Sequence, residues 1–291
     1  MLNKPRILVG TANFGSAYGI KNNTHNIVDV SAVALSFTEL GISGLDTSSD
    51  YLDAESIIGS SFENNLNLEI YTKYGQASYL NRNTFRESVA NSLFRLKKTY
   101  INGVLLRDFD KLNKAGRSMV IQTLNEFKEE GTIKKFGVTV YSEDELRNCY
   151  DSFPEFKIVQ LPENLIDRRF LDSNFIKELK NKNVEIHIRS IFLQGLLLMQ
   201  ESEIPTKLKA KCTFFNELSS LSVAKHRSIF QLCIDYVAQI VWCDAIVVGI
   251  NSADELREIV NALNNSKTLN FADFPRGDLD VIDPRKWSSL R

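Results

Sequence analysis

The sequence has few of the residues that bind metals or form disulfides. Only three histidines and four cysteines occur among 291 residues, and no two cysteines form a Cys-x-x-Cys pair. A structural zinc site needs a close set of thiolate and imidazole ligands, so we expect no metal site. Each cysteine is interpreted as a buried free thiol in a reduced, cytoplasmic compartment. These residues are Cys149, Cys212, Cys233 and Cys243.

Other absences exclude further classes of protein. The net charge is −1, which gives no electrostatic reason to expect nucleic acid or an anionic membrane as a partner. No apolar run reaches membrane-spanning length, and Met1–Arg6 carries no apolar signal core. Neither G-x-G-x-x-G nor the Walker pattern G-x-x-x-x-G-K-[ST] occurs, which disfavours an open dinucleotide-binding sheet and a P-loop.

What the sequence does contain is a regular alternation of strand-like apolar runs and helical patterns. Eight such units predict an α/β fold, a closed parallel (β/α)8 TIM barrel formed by residues 1–291 as a single domain. The predicted strands are Arg6–Thr11, Ile42–Asp46, Leu68–Lys73, Asn102–Leu106, Lys135–Val140, Lys157–Leu161, Val184–Arg189 and Ala245–Gly249. The predicted helices are Val28–Leu40, Ala54–Phe62, Thr84–Thr99, Met119–Glu130, Ser142–Tyr150, Phe170–Asn181 and Asp254–Leu263.

Local signals predict how some of these helices begin. Capping-box spacing occurs at two helix starts and a serine cap is expected at a third: Thr84 with Glu87, Ser142 with Glu145, and Ser48 or Ser49 before Ala54.

Two segments break the alternation. Residues 192–244 are too long for one loop and one helix, and we expect part of them to cover the barrel mouth. A helical pattern lies near Lys225–Trp242. Residues 264–291 form a C-terminal extension whose degree of order the pattern does not determine.

Three polar residues stand at the C-terminal ends of strands, where barrel enzymes keep their chemistry. Asp46 ends the second predicted strand, Lys73 ends the third, and Tyr51 follows Asp46 by five residues. An ammonium group beside a phenol favours the phenolate, so we expect Lys73 to lower the pKa of Tyr51 while Asp46 holds Lys73 in place. Such a phenol is able to donate a proton to a carbonyl oxygen that has just received a hydride. Taken singly, Asp46 is equally well a helix cap and Lys73 a solvated charge.

The ordered set of motifs resembles the aldo/keto reductase superfamily. The match covers about residues 6–263, and its pieces are Gly10-Thr11-Ala12-Asn13-Phe14-Gly15, Leu45-Asp46-Thr47 with Tyr51, Ala54-Glu55 with Ile58-Gly59, Thr72-Lys73, Val104-Leu105-Leu106, the run from Gly131 to Val138, Gln160 with Asn164, and Gly249 with Leu256. The run Arg189–Leu197 is similar to a bacterial branch linked with cell-surface sugar synthesis.

The resemblance implies a function and a set of site residues. It implies an oxidoreductase that reduces an aldehyde or ketone, acidic or sugar-derived, with NADP(H) or NAD(H) bound extended. Tyr51 matches the catalytic acid of the family. Lys73 matches the residue that adjusts the pKa of this acid, and Asp46 matches the carboxylate that orients the lysine. The residues assigned to the cofactor are Thr11, Ala12, Thr139, Gln160, Arg189, Ser190, Gly249, Asn251, Ser252, Glu255 and Arg257.

The fourth catalytic position departs from the family pattern, because Arg107 stands where relatives have a histidine. Arginine is always protonated and brings a fixed cation. We expect Arg107 either to polarise the substrate carbonyl or to clamp an acidic group of the substrate, which suggests an acidic carbonyl compound. The alternative is an ion pair with Asp108, Asp110 or Asp46.

Two further departures concern the cofactor. Val140 replaces the asparagine that usually follows Thr139, which removes one hydrogen bond to the carboxamide. Asp254 and Glu255 repel a 2′-phosphate, whereas Arg257 nearby would compensate, so NAD(H) and NADP(H) both stay open.

Other functions are also compatible with this pattern. One is a dinucleotide-binding sensor or subunit with little turnover, which the changes at Arg107 and Val140 favour. Another is a barrel enzyme that uses Tyr51 and Lys73 for proton transfer without redox chemistry, because a fold does not determine a function.

Overall fold

Eight parallel strands form a closed barrel in chain order, with the last strand hydrogen-bonded to the first. The computed structural model describes residues 4–15, 28–65 and 67–289, and within them the predicted (β/α)8 barrel is confirmed. The strands are β1 (Arg6–Gly10), β2 (Gly44–Asp46), β3 (Glu69–Tyr74), β4 (Ile101–Arg107), β5 (Ile133–Thr139), β6 (Ile158–Pro162), β7 (Glu185–Arg189) and β8 (Ala245–Gly249).

Helices surround the barrel and fill the long connections. They are α1 (Val30–Leu40), α2 (Ala54–Ser61), α3 (Arg82–Leu96), α4 (Lys114–Glu129), α5 (Glu143–Ser152), α6 (Asn174–Asn181), α7 (Thr206–Lys209), α8 (Phe215–Lys225), α9 (Ile229–Ala238), α10 (Ala253–Asn264) and α11 (Leu279–Ile282). Short 3₁₀ turns lie at Gln76–Tyr79, Phe109–Lys111, Leu196–Leu198, Glu201–Glu203 and Pro284–Ser289. The helix predicted near Lys225–Trp242 is confirmed only in part, since α8 ends at Lys225 and α9 covers Ile229–Ala238.

Two of the expected helix caps are wrong. The cap of α3 is Asn81, whose side chain accepts a hydrogen bond from the Thr84 backbone N–H at 3.0 Å, so Thr84 lies inside the first turn. Helix α2 begins after Asp53 with no side-chain cap among the described residues. Ser48 instead donates its hydroxyl to the Lys73 carbonyl oxygen at 3.0 Å, which ties the loop after β2 to the end of β3.

The cap of α5 is confirmed, with one difference. Ser142 Oγ accepts from the Glu145 N–H at 3.1 Å. The Glu145 carboxylate accepts from the backbone N–H of Tyr141 at 2.5 Å rather than from that of Ser142. The start of α4 was predicted at Met119 but lies five residues earlier at Lys114, because Asn113 caps the helix there.

The long connection and the C-terminal extension both pack against the barrel. The Arg168 guanidinium donates to the backbone carbonyls of Phe271 at 2.6 Å and Pro275 at 2.8 Å. Trp287 is 1% exposed, and its indole N–H donates to the Val281 carbonyl at 2.9 Å. These buried hydrogen bonds order the extension, which the sequence pattern left undetermined.

The cysteines are buried free thiols, as predicted. Burial raises the pKa of the Cys149 thiol to about 12 and that of Cys212 to about 11, so both are unreactive near neutral pH. Within the described ranges, no helix combines the length and apolar character that spanning a bilayer requires. In the same ranges, no three His, Cys, Asp or Glu side chains cluster as metal ligands.

Charged side chains close the N-terminal end of the barrel. Arg6 pairs with Glu69, and Lys135 pairs with Glu185. His187 Nε2 lies 3.4 Å from the Glu185 carboxylate. Burial alone would raise the pKa of Glu185, but the neighbouring His187 and the paired Lys135 outweigh it and lower this pKa to about 2.

Replacing Glu185 with glutamine is expected to weaken the acid dependence of stability. The carboxyl has an ordinary pKa of 4.5 and a folded pKa of about 2, so its stabilisation is present above pH 4.5 and is lost as the pH falls towards 2. Urea unfolding at stepped pH should therefore show a flatter slope across this window for Glu185→Gln. The control is Glu178→Gln, which removes a half-exposed helix-surface pair with Lys182. Equal slopes for Glu185→Gln and the wild type would contradict the expectation.

Candidate active site

A cavity of about 860 Å³ opens at the C-terminal mouth of the barrel. Thirteen of the fifteen predicted site residues line it: Thr11, Ala12, Asp46, Tyr51, Lys73, Arg107, Thr139, Gln160, Arg189, Ser190, Gly249, Asn251 and Glu255. Ser252 and Arg257 are not among the described lining residues. Strand pairing explains the convergence, because it aligns Gly10 with both Asp46 and Gly249, and Thr139 with both Arg107 and Gln160.

A buried polar triad forms the floor of the cavity. Lys73 Nζ pairs with Asp46 Oδ1, and Gln160 Nε2 donates to Asp46 Oδ2 at 2.7 Å. Lys73 is 5% exposed, Asp46 3% and Gln160 0%. A buried charge is stable only when it is paired and hydrogen-bonded, and both carboxylate oxygens of Asp46 are used in this way.

Tyr51 lies above this triad. Its loop is held to the end of β3 by the Ser49 N–H, which donates to the Lys73 carbonyl at 3.1 Å. The Lys73 ammonium lies 5.4 Å from the centroid of the Tyr51 ring. The structure therefore brings the phenol, the ammonium and the carboxylate together at one rim of the barrel.

The expected direction of the Tyr51 pKa shift is wrong. The pKa of Tyr51 is raised, mainly by burial and then by the Asp46 carboxylate, while the Arg189 cation opposes the shift. The Lys73 charge is already balanced by Asp46, so little of it is left to stabilise a phenolate. Tyr51 is consequently protonated at neutral pH, which is the state that a proton donor needs.

Arg107 pairs with a carboxylate that the sequence did not indicate. Its Nη2 contacts Asp50 Oδ2, not Asp108, Asp110 or Asp46. Asp108 is instead paired with Lys111. The partner was missed because Asp50 reaches Arg107 only through the conformation of the loop after β2.

Backbone strain is concentrated at the same rim. Leu52, Asp108 and Ser190 have φ values of 41°, 60° and 63°, in the left-handed region that residues other than glycine seldom adopt. They directly follow Tyr51, Arg107 and Arg189. Strained residues that persist in a fold are concentrated at functional sites, so this clustering supports the placement of the site.

A family model described as the Aldo/keto reductase family matches residues 6–276. The chain belongs to the aldo/keto reductase family. Its similarity to a curated relative, the NADH-specific methylglyoxal reductase of Escherichia coli (strain K12), is 25% identity over 210 residues. That match covers 67% of this chain and 62% of the relative, which is less than two thirds of the relative's length.

Solved structures of other family members support the fold. An aldo-keto reductase from Bacillus halodurans, in its holo form, has a TM-score of 0.71 at 18% identity and covers 93% of each chain. The glycerol dehydrogenase from Gluconobacter oxydans has a TM-score of 0.69 at 17% identity, over 91% of this chain and 88% of that one.

The cavity fits a nicotinamide dinucleotide. Gln160 lines it and has a buried Oε1 with no hydrogen-bond partner among the described residues, so this acceptor matches the amide N–H of a carboxamide. Thr139, its neighbour in the strand pairing, offers a hydroxyl beside it. At the end of β8, a Cβ on Gly249 would meet no atom within 4 Å, so the backbone there is open to a large group.

The end of the cavity beside β8 is acidic in this member of the family. The Glu255 carboxylate accepts from the Asn251 backbone N–H at 2.7 Å, and Glu258 also lines the wall. Arg257, which would compensate, pairs with Glu39 at 3.1 Å and Asp254 at 3.0 Å. Ser252 caps α10, accepting from the Glu255 N–H at 3.1 Å.

Sequence reasoning missed part of the cavity wall. The Tyr141 ring lies between two guanidinium groups, with Arg189 at 4.1 Å and Arg285 at 3.7 Å from its centroid. Phe192 stacks on Phe230 with centroids 5.5 Å apart, and both line the cavity. Arg285 belongs to the C-terminal extension, where no strand end signals a site. Both phenylalanines belong to the long connection, so part of that connection lines the cavity.

Proposed function

We propose that this protein reduces the carbonyl group of a small aldehyde or ketone with a nicotinamide dinucleotide, and that Tyr51 supplies the proton. The observation that carries the proposal is the position of the Tyr51 phenol, which lines the cavity beside the buried triad of Lys73, Asp46 and Gln160. The bound dinucleotide supplies the hydride, and the protein supplies position and the proton.

The residues of the rim divide the remaining work. The substrate oxygen gains basicity as the carbonyl is reduced, and Tyr51 transfers its proton to that oxygen. The Lys73 ammonium, paired with Asp46, lies 5.4 Å from the centroid of the Tyr51 ring and holds the buried floor of the site beside the phenol. Arg107 donates an N–H towards the carbonyl, in the place of the usual histidine. The apolar wall of Phe192 and Phe230 excludes water from this step.

Turnover with a carbonyl panel tests this function. We expect reduced dinucleotide to be consumed with small aldehydes, with methylglyoxal as the first compound to try because the curated relative bears that activity in its name. A dinucleotide-binding sensor would bind the cofactor without consuming it. Binding is followed by nicotinamide fluorescence and consumption by absorbance. Binding without consumption for every carbonyl in the panel would contradict the proposed function.

We expect NADH to bind more tightly than NADPH, because the charged residues at the β8 end of the cavity are acidic. Glu255 and Glu258 repel a 2′-phosphate, and one such charge at close range is worth about 1–4 kcal/mol near a protein surface. Glu255→Gln keeps an acceptor for the Asn251 N–H and should narrow the ratio of the two Kd values about tenfold, by about 1.4 kcal/mol.

Calorimetric titration of both dinucleotides measures this preference. The matched control is Glu143→Gln in the first turn of α5, a carboxylate that does not line the described cavity. A wild type that binds NADPH more tightly, or a ratio that Glu255→Gln leaves unchanged, would overturn the assignment.

A further inference from the structure

The ion pair of Arg107 and Asp50 spans the rim of the cavity. Arg107 ends β4, Asp50 lies in the loop after β2 directly before Tyr51, and the two meet above the residue that follows β3, Gly75. The pair therefore connects the residue that replaces the family's histidine to the loop that carries the proton donor.

Gly75 makes room for this pair. A Cβ at that position would lie 2.9 Å from Arg107 Nη2 and 3.3 Å from Asp50 Oδ2. The backbone of Gly75 has φ −85° and ψ 170°, which any residue adopts. A larger residue here would therefore displace the tips of the ion pair, whereas the conformation of the chain does not demand glycine.

The pair has little value for stability. The side chains of Arg107 and Asp50 are 38% and 45% exposed, and ion pairs at such sites contribute about 0–1 kcal/mol. Its effect on the charge of the site is larger, because Asp50 cancels the cation that arginine brings to a position held by a neutral histidine in relatives.

We propose that Asp50 is a positioning residue that aims Arg107 at the substrate carbonyl and neutralises its charge, so that the pair acts as a neutral hydrogen-bond donor and selects uncharged carbonyl compounds. This inference rests on the proposed function and names its substrate class. It replaces the acidic substrate expected from Arg107 alone, since a compensated guanidinium no longer attracts a carboxylate strongly.

Asp50→Asn tests the proposal through a pair of substrates that differ in charge. Methylglyoxal is neutral and glyoxylate carries a carboxylate at similar size. With NADH, we expect the wild type to prefer methylglyoxal and the variant to raise the glyoxylate-to-methylglyoxal ratio of kcat/KM about tenfold, as one exposed charge changes. The kcat for methylglyoxal should fall, while the Kd for NADH and the free energy of unfolding should stay close to those of the wild type.

Two further variants separate this role from a general disturbance. Gly75→Ala crowds Arg107 Nη2 and should shift the ratio in the same direction, although Asp50 is intact. Glu130→Gln is the control, because it breaks a pair with Arg86 whose side chains are 43% and 34% exposed, and Glu130 does not line the described cavity. An unchanged ratio in Asp50→Asn, or an equal shift in Glu130→Gln, would overturn the proposal.

A binding measurement keeps the proposal separate from the proposed function. Oxamate carries a carboxylate and is not reduced, so its Kd is measured by calorimetry without turnover. We expect it to bind Asp50→Asn about tenfold more tightly than the wild type. If the wild type consumes no NADH with any carbonyl of the panel, the proposed function fails, whereas the oxamate titration still decides the role of Asp50. Equal oxamate affinities would count against that role.

Discussion

Tyr51→Phe is expected to lower kcat/KM for carbonyl reduction by about 10³-fold, within the range that a positioned general acid contributes. The change removes only the phenolic O–H, so the ring still packs beside Lys73 and the cavity keeps its shape. The Kd for NADH should stay close to that of the wild type, because the residues proposed to hold the cofactor are Thr139, Gln160 and those at the end of β8. Steady-state kinetics and nicotinamide fluorescence measure the two quantities.

The control for this variant is Tyr100→Phe. Tyr100 directly precedes β4 at the opposite end of the barrel, where the Lys134 ammonium lies 3.7 Å from its ring centroid. The same chemical change there should leave kcat/KM unaltered. A Tyr51→Phe enzyme with nearly full activity would show that another group donates the proton.

Lys73→Met is expected to destabilise the protein by about 3–5 kcal/mol as well as to abolish most activity, because it leaves a buried carboxylate without its partner. Asp46 is 3% exposed and would keep only the hydrogen bond from Gln160, at 2.7 Å. The double variant Asp46→Asn with Lys73→Met removes the buried charge and should regain stability, but not activity. Urea unfolding and steady-state kinetics on the three proteins measure both effects.

An exposed pair provides the comparison for this variant. Lys97 pairs with Glu63, and their side chains are 49% and 60% exposed. Lys97→Met should change the free energy of unfolding by less than about 1 kcal/mol. If Lys73→Met is no more destabilising than Lys97→Met, then the buried pair of Asp46 and Lys73 does not stabilise the fold as expected.

The parts of the site that were predictable from sequence are those that strand ends position. Asp46 and Lys73 each end an apolar run, and parallel strands in a barrel deliver their C-terminal residues to one mouth whatever the loops do. The family pattern then added Tyr51 and the cofactor positions. The barrel itself followed from the alternation of strand-like and helical segments.

The parts that were missed depend on contacts between distant segments. The raised pKa of Tyr51 comes from burial and from the nearby Asp46 carboxylate, and neither is visible in the order of residues. The sequence suggested three acidic partners for Arg107. The loop after β2 instead brings a fourth carboxylate, that of Asp50, into contact with it.

Two helix starts were misplaced, and the packing of the C-terminal extension was left undetermined, for a related reason. Several residues near a helix start are able to cap it, and Asn81 and Asn113 cap α3 and α4 ahead of the expected starts. Arg285 reaches the cavity from the C-terminal extension, whose packing is set by contacts such as those of Arg168 with Phe271.

The central claim is that Tyr51 protonates a carbonyl oxygen beside a bound nicotinamide. A single-turnover experiment tests it most directly: enzyme in excess is loaded with NADH, mixed with methylglyoxal, and followed by the absorbance of the reduced cofactor. We predict complete consumption of NADH by the wild type and a rate about 10³-fold lower for Tyr51→Phe at equal NADH occupancy. Equal rates for the two proteins, or no consumption by a fully loaded wild type with methylglyoxal or any other carbonyl of the panel, would contradict the claim.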